Sequence, residues 1–300
     1  MYKNFEDLIN KKFNKESEIK KIILAGADDE HSLQAVFTAQ EKGYVDPVLV
    51  GDENKVGKLI TNLGFENRDY ELYHCTKNEN PSQIAVTLIH EKKGDFIMKG
   101  KMETRDLLKP ILNKSTGLNS RGFITHFGLM EITNYHKLLA MSDGAVIPYP
   151  NIEEKKKIAK IGIDSLKKLG YLKPVVGVLC AVEKVNEKMP ETLHAEELSK
   201  LSDKGYFGDG LVVGPISFDL ATRKEAAEIK GYKSDYAGNV DMLLVPNMVT
   251  GNVMSKIWNS DSKNTLAGCL VGTDVPIVLT SRSASMKEKL HSIILCTILS

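Results

Sequence analysis

The segment Val275-Pro-Ile-Val-Leu-Thr280-Ser281-Arg282-Ser-Ala-Ser285-Met-Lys-Glu288 carries an apolar run into hydroxyls, an arginine and a carboxylate. It reads as a buried strand followed within a few residues by a helix. In open α/β sheets, ligands bind beyond the carboxyl ends of strands. The free N–H groups and positive dipole end of a helix favour an anion there, and Arg282 adds a planar fork suited to phosphate. A simple polar strand exit is the other reading for Ser281 and Arg282. Ser285-x-x-Glu288 also fits a capping box, in which the carboxylate holds the first helical turn and does no chemistry.

Three further segments have the same form. In Val240-Asp-Met-Leu-Leu-Val-Pro246-Asn247-Met-Val-Thr250-Gly251-Asn252-Val-Met-Ser-Lys256 a strand runs through a turn into a helix. Thr250, Gly251 and Asn252 fall where backbone amides are free, with Lys256 one turn further along; ordinary capping by Asn252 is the alternative. In Phe96-Ile-Met-Lys99-Gly100-Lys101-Met-Glu-Thr104-Arg105-Asp106, cations gather after a short strand. Gly100 permits close backbone approach, and Thr104 with Asp106 suits a helix start; a solvated charged loop is the alternative. Gly214-Pro-Ile-Ser-Phe-Asp219 is a strand exit whose Asp219 is placed to cap the helix that follows.

Other patterns are set aside. Gly51 to Gly57-Lys58-Leu59 has one residue too many for a phosphate-binding P-loop, and Leu59 replaces the magnesium-binding hydroxyl. Gly208, Gly210 and Gly214 precede a strand, whereas a dinucleotide loop follows one. No Asp-rich cluster suits a divalent metal.

The elements that must position these residues alternate. IKKIILAGA reads as a strand ending at Gly26, followed by a helix from about Glu30 to Lys42. PVLVG, ELYHC and DFIMKG read as strands separated by the helices VGKLITNLG and PSQIAVTLIHEKKG. In the second half GAVIPYP, KPVVGVLCAV, GLVVGP, VDMLLVP and VPIVLTS read as strands; EEKKKIAKIGIDSLKKLG and TRKEAAEIKG read as helices stopped at glycine. Uninterrupted apolar strands between helices require a parallel sheet covered on both faces, so the fold class is α/β.

The 300 residues are enough for two domains. Lys plus Arg number 40 against 39 Asp plus Glu, a formal charge of +1, so the field of the whole protein recruits neither nucleic acid nor a membrane surface. Any anionic ligand must be met locally. The four cysteines are far apart and show no C-x-x-C spacing, as for reduced thiols. The N-terminus reads as a charged amphipathic helix, not a signal segment. The expected location is cytoplasmic.

The stretches AGADDEHSLQAV, PVLVGD, MKGKMETRDLLKPIL, LLAMSDGAV, KPVVGVLCAVEKVNEKMPETLHAEELSK, GPISFDLA, AGNVDMLLVPNMVTGN and PIVLTSR together resemble the phosphate acetyl/butyryltransferase family, the butyryl branch most closely. They run in family order over nearly the whole chain. The resemblance implies a two-domain, isocitrate/isopropylmalate dehydrogenase-like fold with mostly parallel sheets and a cleft between domains. Residues 1–135 plus 268–300 would form the first domain and 136–267 the second, with a homodimer or higher homo-oligomer as the assembly. The implied reaction moves a butyryl or branched short acyl group between coenzyme A and inorganic phosphate. The substrates would be acyl-CoA and phosphate or acyl phosphate; coenzyme A is a substrate, and neither a permanently bound cofactor nor a metal is implied. By the same likeness Ser281 would polarise the acyl carbonyl, Arg282 would hold phosphate and Glu288 would take the thiol proton. Lys99, Gly100, Thr104, Thr250, Gly251, Asn252 and Lys256 would contact substrate.

This chain departs from the pattern in three places. Ala284 and Asn247 stand where relatives carry aspartate, and an arginine of the acetyl branch is missing from KIWNS. Acetyl transfer to phosphate, transfer to an acyl carrier protein and non-catalytic acyl-CoA binding stay open beside the butyryl reading. A decarboxylating dehydrogenase on the related fold would need an aspartate cluster that is not found.

Overall fold

The computed structural model describes residues 1–14, 17–281 and 284–300. The chain forms two compact units, 9–124 with 267–300, and 1–8 with 125–266. Residues 125–135, expected with the first domain, group instead with the middle of the chain.

After a short helix α1 (Phe5–Lys12), the 9–124 segment alternates β1 (Lys20–Ala25), α2 (Glu30–Glu41), β2 (Val45–Gly51), α3 (Glu53–Leu63), β3 (Glu71–His74), α4 (Pro81–His90), β4 (Phe96–Lys99) and α5 (Thr104–Ile111). The boundaries follow from local chemistry. Asp29, Asp52 and Asn80 each cap a helix, accepting from the amides of Ser32, Lys55 and Ser82. Gly64 ends α3 at φ +75, a left-handed conformation that costs glycine little.

The 125–266 unit contains β5 (Thr125–Glu131), β6 (Leu139–Ser142), α6 (Ile152–Leu169), β7 (Val175–Leu179), α7 (Pro190–Asp203), β8 (Leu211–Ile216), α8 (Phe218–Thr222), α9 (Lys224–Lys230), β9 (Met242–Leu244) and α10 (Met248–Asn259). Its strand order is β5-β6-β9-β7-β8, parallel except for the β5/β6 pair. The core here includes Met141, Ile216, Val240 and Leu243, all nearly inaccessible.

The chain then returns through β10 (Thr265–Val271), β11 (Ile277–Val278) and α11 (Met286–Leu299). These complete the first unit, whose strand order is β3-β2-β1-β4-β11-β10, parallel except for β10/β11.

Two expectations are corrected. GAVIPYP is not a strand; the strand lies just before it, at β6. Asp143 explains the shift, because its carboxylate accepts from the amides of Ala145 (2.7 Å) and Val146 (2.8 Å). Those amides are therefore bound to a side chain and leave the ladder. Asp219 does not cap α8: Ser217 holds that position, and Asp219 accepts instead from the Ser217 hydroxyl at 2.6 Å and the Lys230 ammonium at 3.0 Å.

Among the described residues no helix is long and apolar enough to cross a membrane. Among the same residues, no group of three or more His, Cys, Asp or Glu side chains is arranged to hold a metal ion.

Candidate active site

Three neighbouring parallel strands, β1, β4 and β11, end on the same side, and the chain leaving each contributes to one cavity of about 500 Å³. After β1 the backbone turns at Gly26 and enters α2 through its cap, Asp29. β4 ends in Lys99 and is followed by Gly100 and Lys101, and after β11 come Thr280 and Ser281.

The two glycine exits are interlocked. Gly100 N–H donates to the carbonyl of Ala25 at 2.8 Å, and Lys101 N–H donates to that of Gly26 at 2.9 Å. A Cβ at position 100 would sit 2.9 Å from the Ala25 oxygen and closer still to that of Gly26. No side chain fits there without prising the strand exits apart. The expected close approach at Gly100 thus has a concrete partner, the β1 exit.

The structure gathers Lys99, Gly100 and Ser281 around this cavity. Arg282 lies outside the described residues. Thr104 opens α5 as its first residue, after a Glu103 cap. Ser285 caps α11, its hydroxyl accepting from the Glu288 amide at 3.1 Å, which is the hydroxyl half of the expected capping box. Among the described residues that line the cavity, Thr104 and Glu288 do not figure; Lys289, the next residue along α11, does.

Thr250, Gly251, Asn252 and Lys256 belong to the other unit. There Asn247, not Asn252, is the helix cap, accepting from the Thr250 amide at 2.9 Å. All four residues therefore lie inside α10, and the Thr250 amide is already bound. Gly251 is buried because the turn at residues 143–144 packs on it: a Cβ would meet the Gly144 Cα at 2.9 Å. Asn252 and Lys256 are exposed.

Asp29, Ser32 and Lys289 line the cavity without having been singled out by sequence. Asp29 accepts from the Ser32 amide at 2.9 Å and from the Ser32 hydroxyl. Burial pushes the Asp29 carboxyl up, but the Ser32 hydroxyl, the Lys289 charge and the Ser32 amide more than offset this, leaving it below its ordinary value. A signal was present in each case. Asp29-x-x-Ser32 after a strand is a helix-start pattern, and Lys289 is a lone cation on the face of α11 that also buries Ile293 and Cys296.

The arrangement offers cations, a hydroxyl and a helix start at the carboxyl edge of a parallel sheet. Such a site suits a phosphoryl group and a polarised carbonyl.

Residues 74–297 match the family model described as Phosphate acetyl/butaryl transferase. A phosphate butyryltransferase of Clostridium acetobutylicum is 38% identical over 300 residues, covering 99% of this chain and 98% of that protein. A branched-chain phosphotransacylase from Enterococcus faecalis V583 matches in structure with a TM-score of 0.81 at 28% identity, over 94% of this chain and 99% of that one. A putative 4-hydroxythreonine-4-phosphate dehydrogenase from Salmonella typhimurium shares the fold alone, with a TM-score of 0.58 at 13% identity over 95% of this chain and 100% of that one. The α/β, mostly parallel, dehydrogenase-like fold read from the sequence is thereby supported. The chain belongs to the phosphate acetyl/butyryltransferase family and is an acyltransferase.

Proposed function

We propose that this enzyme exchanges a butyryl or branched short acyl group between coenzyme A and phosphate at the cavity beyond β1, β4 and β11. The observation that carries this reading is the convergence there of Ser281, Lys99 and Lys289, in a chain of this family. In the phosphorolytic direction a phosphate oxygen attacks the thioester carbonyl, the oxyanion collapses, and the C–S bond breaks to release the coenzyme A thiolate. In reverse, the thiol must lose its proton. With an ordinary pKa of about 8.5 it is mostly protonated at neutral pH, so a base speeds that step. We assign carbonyl polarisation to Ser281, phosphate binding to Arg282 and the thiol proton to Glu288. Lys99 and Gly100 at the cavity wall are proposed as substrate contacts; Thr104, Thr250, Gly251, Asn252 and Lys256 are proposed on the family likeness alone. We take the two compact units as the domains, a reading supported by the grouping of 9–124 with 267–300 and of 1–8 with 125–266. Coenzyme A enters as a substrate, and the working location is the cytoplasm.

A thiol-release assay over a panel of acyl-CoAs, with and without phosphate, tests the reading. Release should require phosphate and run fastest with four- or five-carbon chains. Phosphate-independent release, or release only with an acyl carrier protein as acceptor, would reject it.

The assembly we propose is a homodimer formed through α10. Only Gly251 is buried in that helix, while Val249, Val253 and Ile257, spaced four apart on one face, are 51%, 49% and 63% exposed. Phe218, itself 36% exposed, extends the patch through ring contact with Trp258. A continuous apolar stripe of this kind marks an interaction face. Light scattering should give about twice the 33.2 kDa chain mass for the native protein, and the monomer mass for Ile257→Asp. A native monomer would refute the assignment.

A further inference from the structure

We propose that Lys289 also binds a phosphate oxygen in this cavity, in addition to the role assigned to Arg282, with Asp29 and Ser32 forming the rest on which its ammonium waits. The inference deepens the acyl-transfer reading and rests on it for the identity of the anion.

Lysine is seldom buried unless it is paired, and Lys289 is only 8% exposed. Its ammonium lies 3.4 Å from the Ser32 hydroxyl and 3.7 Å from Asp29 Oδ2. A charge-assisted N–H···O bond closes to about 2.7–2.9 Å, so neither contact is a tight one. The same chain shows what a closed structural pair looks like. Lys137 and Asp241, at 2% and 5% side-chain exposure, meet at 2.5 Å, and the ammonium also donates to the Asn239 carbonyl at 2.8 Å.

Asp29 is also poorly placed to close on Lys289. The oxygen nearest the ammonium, Oδ2, already accepts from both the amide and the hydroxyl of Ser32. A carboxylate oxygen offers roughly two lone-pair sites, and capping α2 uses them. An ammonium carries three donors, so Lys289 retains donor capacity at the wall of a cavity it shares with Ser281 and Lys99. An oxyanion entering there would meet a desolvated cation at short range, where the attraction is least screened by water. Asp29 holds the ammonium in place between turnovers and sets how strongly a dianion must compete for it.

Both inorganic phosphate and the phosphates of coenzyme A have this chemistry, and kinetics separate them. Lys289→Met should raise the KM for inorganic phosphate tenfold or more, equal to about 1.4 kcal/mol, while the KM for butyryl-CoA changes less than twofold. Lys289→Arg should recover part of the loss. Inorganic phosphate should also raise the Tm of the native protein, and this shift should vanish in Lys289→Met. A rise confined to the butyryl-CoA KM, or an unchanged phosphate KM with only lowered stability, overturns the proposal. If native enzyme shows no phosphate-dependent release, the acyl-transfer reading alone fails, and the phosphate-induced Tm shift decides the role of Lys289. Should Lys289→Met not fold, Asp29→Asn serves instead, because asparagine keeps the helix cap and removes only the competing charge. It should lower the phosphate KM threefold or more; an unchanged or higher value overturns the proposal.

Discussion

Replacing Ser281 by alanine should lower turnover by about 10²–10³, the usual effect of removing one donor aimed at a developing oxyanion. Ser281 is exposed at the β11 exit, so its hydroxyl contributes little to the core and the variant should melt within a degree or so of the native protein. The KM values for acyl-CoA and phosphate should move little, since the bond to the carbonyl oxygen strengthens only as negative charge builds there. Steady-state kinetics beside a melting curve separate the two effects. Turnover within threefold of native would take the hydroxyl out of the reaction.

The largest expected stability effect lies far from that chemistry, at Asp241. Its carboxylate binds the Lys137 ammonium through one oxygen at 2.5 Å and the Val175 amide through the other at 2.8 Å. Its backbone accepts from Ala140 and donates to Val175, so one residue ties β6, β7 and β9 together. Burial pushes the Lys137 pKa down, and the Asp241 charge and hydrogen bond partly offset this. Asp241→Ala would strand a buried ammonium and orphan an amide, a loss of about 3–5 kcal/mol. A drop in Tm on the order of 10 °C follows for a unit of this size. The double variant Lys137→Met/Asp241→Ala should be more stable than Asp241→Ala alone, because the uncompensated charge is gone. If the double variant is the less stable one, the ammonium was not the source of the loss.

Much of the framework was legible in the sequence because its signals are local. Apolar β-branched runs closed by glycine gave β1 and β2, and left-handed glycines marked the ends of α3, α6 and α9. Lys99, Gly100 and Ser281 could be picked out because each lies at or just past the end of an apolar strand. Elements whose identity depends on distant partners were harder to see. β5 and β10 contain Gly128 and Gly268 with few β-branched residues, and pairing makes them strands against weak propensity. The turn at 144–150 depends on a single carboxylate, that of Asp143. Lys289 was hidden for a different reason: nothing adjacent in sequence says that β11 lies beside β4 and brings the start of α11 to Asp29.

That insertion bears on the order of events during synthesis. β11 and α11 are made only after the whole 125–266 segment, whereas β1 and β4, beside which they settle, leave the ribosome far earlier. The 125–266 unit can be complete while its companion still awaits a strand. Until β11 and α11 have emerged, the nascent chain presents an unpaired β4 edge and an open-sided anion pocket.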